Sequence, residues 1–153
     1  GIRYGLSVSA DTIGEVYEKT RAAGFGPETR RRILVGTFVL SSGYADAYYR
    51  KARAVRSMIK NEFRLALESV DAVVVPTTPA PAFILGSKTE DPLAMYAEDI
   101  LSVPVNLAGV PAVSVPSGTV LRDGVELPVG FQIMSAWGME EALFTIAEDI
   151  ERT

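Results

Sequence analysis

The chain has 153 residues, of which 48% are hydrophobic and 22% charged, with a formal net charge of −4. These values fit a globular domain with an apolar core, and the acidic balance argues against direct binding of nucleic acid. The absence of Cys and His excludes disulfides, thiolate nucleophiles, Cys/His zinc sites and imidazole acid–base catalysis. No apolar run predicts a membrane span and no signal peptide opens the chain, so we expect a cytoplasmic protein.

Helical periodicity dominates the first part of the chain. Residues 11–23 repeat apolar side chains at helical spacing up to Gly24, and a second helix has Pro27 at its first position and runs to about Ser42. The longest predicted helix begins at residue 44 or 45 and ends near residue 69. Its apolar stripe consists of Tyr48, Ala52, Val55, Ile59, Phe63 and Leu67.

A short, wholly apolar run at residues 71–76 ends at a Pro, which predicts a strand buried on both faces. The Pro- and Gly-containing residues 77–88 predict a loop. Asp91 as N-cap and Pro92 at the first helical position then predict a helix that continues through Ile100.

Short strands and one helix are predicted for the rest of the chain. We expect Pro104 to end the preceding helix, with a short helical turn at 105–108 and a buried strand at 111–116 after it. A hairpin follows, with strands at 119–121 and 125–127 around Asp123-Gly124. A strand at 129–134 and an amphipathic helix at 138–151 complete the chain. The sum predicts an α/β fold in which helices flank a mixed sheet. Three or four strands make a narrow sheet, and the chain opens at Gly1 without Met, so we expect that part of the fold is absent.

Familiar catalytic motifs are missing from the sequence. It contains no Gly-rich phosphate loop, no dinucleotide-binding motif and no nucleophile elbow. Ser41-Ser42-Gly43 superficially resembles a nucleophile motif, but no base is identifiable beside it, so we interpret it as a helix end.

Two charged residues stand in unusual places. Arg32 ends a triple-Arg run and directly precedes an apolar stretch; successive helical residues are about 100° apart, so the three cannot share one face. A guanidinium turned inward suits bidentate binding of a carboxylate. Asp99 lies near a predicted helix C-terminus, where the helix dipole disfavours negative charge, so a nearby amino group or backbone donor is expected. On the residues alone, a surface salt bridge for Arg32 and an ordinary surface role for Asp99 are the simpler explanations.

Several segments together resemble the amidase signature family, and within it the A subunits of glutamyl-tRNA(Gln) amidotransferase. They are GFGPETRRRILVGT at 24–37, LSSGYADAYY at 40–49, PTTP at 76–79, DPLAMY at 91–96, PVNLAGVPAVSVP at 104–116 and LPVGFQI at 127–133. The resemblance covers nearly the whole chain in order. It implies an incomplete three-layer α/β/α amidase signature fold, with residues 1–153 forming the C-terminal part of a single domain.

The resemblance also implies a reaction. The A subunit hydrolyses glutamine, and the ammonia converts Glu-tRNA(Gln) or Asp-tRNA(Asn) to the amidated form on a B subunit that uses ATP and Mg²⁺, while a small C subunit wraps around the A subunit. The family's catalytic Ser, cis-Ser and Lys are all expected upstream of Gly1, so this chain alone is expected to be inactive and to hold no cofactor. Carried over by position, Arg32 binds the α-carboxylate of glutamine and Asp99 its α-amino group, with Arg31 as the fallback if the register slips by one.

Two other functions remain open at this point. The chain could belong to a stand-alone amidase of the same fold that acts on another amide, or it could be a non-catalytic assembly module. Glutamine needs ligands for two opposite charges, whereas an apolar amide needs neither, so Arg32 and Asp99 distinguish the first alternative. The preference for Gln or Asn tRNA and the oligomeric state of the chain are not predicted.

Overall fold

The computed structural model describes residues 4–41, 43–89 and 91–152. By its internal contacts the chain divides into two compact units, Gly1–Ala52 and Arg53–Thr153. Ser42, where the second helix was predicted to end, lies outside the described residues.

The first unit is helical. Its elements are α1 (Ile13–Gly24), α2 (Pro27–Leu40) and a single π-helical segment (Ala45–Arg50). Thr12 caps α1 by accepting a hydrogen bond from the backbone N–H of Glu15 at 3.3 Å, and Pro27 opens α2 at its first position as predicted. None of the described residues in this unit is buried, so its described part has no buried core.

The second unit is built on a sheet. Its elements are α3 (Lys51–Leu67, nearly all in this unit), β1 (Ala72–Pro76), α4 (Pro92–Ala97), α5 (Val103–Ala108), β2 (Ala112–Arg122), β3 (Val125–Ser135) and α6 (Glu140–Glu151). The three strands have the order β1-β3-β2, and β3 pairs antiparallel with both neighbours. The mixed sheet expected from the sequence is therefore antiparallel throughout the described strands.

Opposite faces of the sheet carry separate hydrophobic clusters. Met134 of β3 packs with Val105 and Ala108 of α5, and partly buried residues of α3 and β1 lie against this cluster. Ile133, the preceding residue of β3, packs on the other side with Leu143 and Ala147 of α6. Because neighbouring residues of a strand point to opposite faces, this alternation produces three layers, with α3 and α5 on one side and α6 on the other. The predicted α/β/α arrangement is confirmed.

In the structure, each of two predicted pairs of short strands forms one longer strand, β2 and β3. The expected strands at 111–116 and 119–121 merge into β2, with a register irregularity between Pro116 and Thr119. The hairpin turn at Asp123 and Gly124 is confirmed, since both residues have positive φ, 51° and 79°, as a type I′ turn requires. A register shift lets β2 continue through Pro116, which local propensity alone had treated as a strand end.

The helical region before β2 also differs from expectation. α4 ends at Ala97 rather than beyond Ile100. Pro104 lies inside the first turn of α5 instead of ending a helix, a position where proline's missing N–H costs no hydrogen bond. The helical turn expected at 105–108 is the body of α5, which ends at Gly109 in the left-handed conformation, with φ of 74°.

Candidate functional site

Arg32 lies on α2 and faces solvent. Its Nε donates to Oε1 of Glu28, one helical turn earlier, at 2.9 Å, and its side chain is 68% exposed. Arg31 binds the other oxygen of the same carboxylate, with 3.0 Å between Nη1 and Oε2. The surface salt bridge considered for Arg32 is therefore present. An exposed pair of this kind contributes at most about 1 kcal/mol to stability.

The three arginines point to two different places, as their spacing on a helix requires. Arg30 donates from its guanidinium to the backbone carbonyl of Ala22 in α1, whereas Arg31 and Arg32 share Glu28. Arg30 ties α2 to α1 within the first unit, so the residues of the run that remain as ligand candidates are the two that the resemblance had singled out.

Asp99 lies in the tight connection between α4 and α5. Its N–H donates to the carbonyl of Tyr96 at 3.2 Å, and its own carbonyl accepts from the N–H groups of Ser102 and Val103 at 3.0 and 2.9 Å. The Ser102 hydroxyl donates to the same carbonyl at 3.2 Å. The backbone on which Asp99 sits is therefore fixed from both sides.

Gln132 anchors this connection to the sheet. It is one of the buried polar residues, 7% exposed on β3, and its Nε2 donates to the carbonyl of Leu101 at 3.1 Å. A buried amide must be hydrogen-bonded to offset the cost of its desolvation. Sequence reasoning missed this residue, although a lone Gln inside the apolar stretch of β3 was a usable signal.

The carboxylate of Asp99 stands in contrast to its backbone. It is exposed, and within the described parts of the chain no side chain or N–H group is hydrogen-bonded or ion-paired to it. It follows the last residues of α4, where the helix dipole opposes negative charge. An exposed carboxylate on a hydrogen-bonded backbone segment, in an unfavourable field and without a protein partner in that part of the chain, is a suitable ligand for an external cation such as an ammonium group.

The two candidate ligands belong to different units, Arg32 to the first and Asp99 to the second. Their convergence on one ligand therefore stays a prediction. The first unit holds an apolar groove of about 610 Å³, lined by residues including Leu6, Tyr17 and Phe25, but Arg32 does not line it. Neither does Asp99 line the 510 Å³ cavity beside Gln132 in the second unit.

The described residues contain no group of three or more His, Cys, Asp or Glu side chains arranged to hold a metal ion. Within the same residues, every helix is too short or too polar to cross a bilayer.

Comparison with known proteins identifies the family. Residues 3–144 match the family model described as Amidase, and the chain therefore belongs to the amidase family. It is 52% identical over 153 residues to the A subunit of glutamyl-tRNA(Gln) amidotransferase of Halalkalibacterium halodurans, a match that covers 99% of this chain and 31% of that protein. The chain thus spans about a third of the length of this relative. The predicted resemblance to these A subunits is confirmed.

Solved structures agree with this assignment. The crystal structure of the glutamyl-tRNA(Gln) amidotransferase A subunit from Thermotoga maritima aligns with a TM-score of 0.66 at 44% identity, covering 92% of this chain and 30% of that one. The S177A variant of Kluyveromyces lactis allophanate hydrolase aligns with a TM-score of 0.63 at 24% identity, over 88% of this chain and 22% of that one. The second likeness concerns the fold alone.

Proposed function

We propose that this chain is the glutamine-binding part of an amidotransferase A subunit. The observation that carries the proposal is the 52% identity, over 99% of the chain, to a protein of that kind. In the complete subunit, glutamine is hydrolysed and its ammonia is used to amidate Glu-tRNA(Gln) or Asp-tRNA(Asn). The B and C subunits are the partners, ATP and Mg²⁺ belong to the B subunit, tRNA is reached through the B subunit, and the complex works in the cytoplasm.

In this proposal, two opposite charges set the position of the substrate. Glutamine is a zwitterion, and a guanidinium at Arg32 pairs with its α-carboxylate while the carboxylate of Asp99 pairs with its α-ammonium group. Holding both ends fixes the side-chain amide against a nucleophile, and such positioning lowers a reaction barrier by several kcal/mol. The hydrogen-bonded backbone of Asp99 and the absence of a protein partner for its carboxylate among the described residues support this role.

The nucleophile is assigned to the part of the subunit outside this chain. The family's catalytic Ser, cis-Ser and Lys have no matching segment here, and Ser41 has no identifiable base beside it in the sequence and donates its hydroxyl to the carbonyl of Phe38 at 2.6 Å. The isolated chain is therefore expected to show no glutaminase activity. Turnover by the purified chain, measured as ammonia release, would place the nucleophile within it and contradict this assignment.

The decisive test replaces Asp99 by Asn in the complete subunit bound to its partners. Hydrogen bonds to charged groups contribute about 1.5–3 kcal/mol, so the KM for glutamine should rise about 10- to 100-fold. Arg32→Lys should also raise this KM, because an ammonium group cannot bind a carboxylate bidentately. Amidation supported by added ammonium salt should stay unchanged, since it bypasses glutamine.

Asp123→Asn is the matched control, because it removes an exposed carboxylate from the hairpin turn and should leave every kinetic constant unchanged. An unchanged KM for glutamine in both site variants, together with hydrolysis of other amides, would replace this proposal by a stand-alone amidase.

A further inference from the structure

We propose that the ion pair between Lys88 and Glu98 positions Asp99 for binding the substrate's ammonium group, so that both are positioning residues of the glutamine site. The inference rests on the proposed role of Asp99. It concerns only contacts inside the second unit, where the loop at 77–89 meets the end of α4.

The pair differs from the other ion pairs of the described chain. The Lys88 and Glu98 side chains are 24% and 18% exposed, whereas the side chains of the other pairs are at least 44% exposed. Most of those pairs join neighbouring turns of one helix, but this pair bridges ten residues between a loop and a helix end. Partial burial reduces screening by solvent and salt, so this pair can hold its two segments together.

The loop is folded so that Lys88 points back to the protein. Gly86 has a φ of 84°, the N–H of Ser87 donates to the carbonyl of Ile84 at 3.0 Å, and the hydroxyl of Thr89 donates to the carbonyl of Gly86 at 2.8 Å. The Lys88 ammonium also lies 4.7 Å from the centre of the Phe83 ring, a distance that fits a cation–π contact. Lys88 is therefore the anchor of a loop whose tip is otherwise exposed.

Glu98 connects this anchor to Asp99. It is the C-cap of α4, and its N–H donates to the carbonyls of Met95 and Tyr96. A helix of six residues is marginal without tertiary contacts, and a second carboxylate at its C-terminus is unfavourable to the dipole. Lys88 neutralises that charge and holds the helix end, so that the next residue, Asp99, keeps its place and its carboxylate stays available to an external cation.

The test is kinetic and uses the complete subunit with its partners. Lys88→Met should raise the KM for glutamine about three- to tenfold, a typical size for an indirect effect, while kcat and ammonium-supported amidation stay unchanged. Lys88→Arg keeps the charge and should restore the KM. Lys19→Met is the matched control, because it breaks an exposed pair with Glu15 inside α1 and should change nothing.

Three outcomes overturn the inference, and they are distinguishable. If Lys88→Met leaves the KM unchanged while Asp99→Asn raises it, the positioning role is wrong and the proposed function stands. If Asp99→Asn has no effect, the proposed role of Asp99 in binding glutamine fails and this inference fails with it. If Lys88→Met lowers ammonium-supported amidation as well, or Lys88→Arg does not restore the KM, the pair stabilises the fold and does not position the site. Hydrogen exchange of residues 84–99 in each variant shows whether the loop remains folded.

Discussion

At the residue scale, the informative positions are charged residues that lie at unusual places in a helix. The helix dipole drew attention to Asp99 and the spacing of three consecutive arginines drew attention to Arg32, but their assignment as glutamine ligands came from the resemblance to the amidase signature family. Neither argument could find Gln132, Lys88 or Glu98, since their partners are distant in sequence and only tertiary packing brings them together. The spatial relation of Arg32 to Asp99 likewise depends on structure that periodicity does not encode.

Gly130 shows how closely the sheet is packed at the end of β1. A Cβ there would lie 3.0 Å from the Ser114 hydroxyl and from the carbonyl of Val115, and 3.3 Å from the Thr77 hydroxyl. The two hydroxyls are themselves 2.6 Å apart, and the N–H of Thr77 donates to the carbonyl of Gly130 at 2.9 Å. A methyl group at this position must therefore displace backbone as well as side chain.

Gly130→Ala should consequently lower the free energy of unfolding by about 1–3 kcal/mol, the usual cost of overpacking. Urea unfolding followed by circular dichroism measures it. Gly14→Ala is the control, since its Cβ would meet nothing within 4 Å on α1 and alanine favours a helix by about 1 kcal/mol. Equal midpoints for Gly130→Ala and the unsubstituted chain would show that the sheet adjusts without cost.

At the element scale, local signals located most elements and failed at their boundaries. The N-cap at Asp91 was predicted correctly, and its carboxylate accepts from the N–H groups of Leu93 and Ala94. The same signals ran α4 on past Ala97, because apolar spacing continues to Ile100 although the backbone turns there to begin α5. The π-helical segment at the start of the long helix was also missed, because the apolar spacing in the sequence does not distinguish it from an α-helix.

The β2–β3 hairpin depends on the conformation of its two central residues. Gly124→Ala places a Cβ in the left-handed region, at φ of 79°, and should lower the free energy of unfolding by about 1–2 kcal/mol. Asp123→Asn should be nearly neutral, because Asn tolerates the same region. Urea unfolding of the two variants measures the difference. If their midpoints coincide, the conformation of this turn does not determine the register between β2 and β3.

At the scale of the whole molecule, burial is distributed unevenly. The hydrophobic clusters lie on the two faces of the sheet in the second unit, whereas the described residues of the first unit are all at least partly exposed. In the second half of α2, the helix's own apolar side chains lie on all of its sides, and Leu34 is 69% exposed. A helix that is apolar on all sides is normally buried, so this part of α2 has the composition of an interior helix and the surroundings of a surface one. Because this chain spans about 31% of the A subunit that it matches, we propose that the exposed apolar surface of α2 is covered in a complete amidase.

This uneven distribution of buried residues predicts which parts of the chain unfold locally. Because β3 is paired on both sides and carries the buried residues Gln132, Ile133, Met134 and Ser135, its amides should exchange with solvent only on global unfolding. Amides of α2 have no buried side chains to hold them and should exchange through local opening, at least about 100-fold faster relative to their unfolded rates. Hydrogen exchange with mass spectrometry on peptides covering 27–40 and 131–135, scaled to a denatured control, measures the ratio. Equal protection of the two peptides would mean that α2 shares the stability of the sheet, and the proposal that it lacks cover in this chain would have to be abandoned.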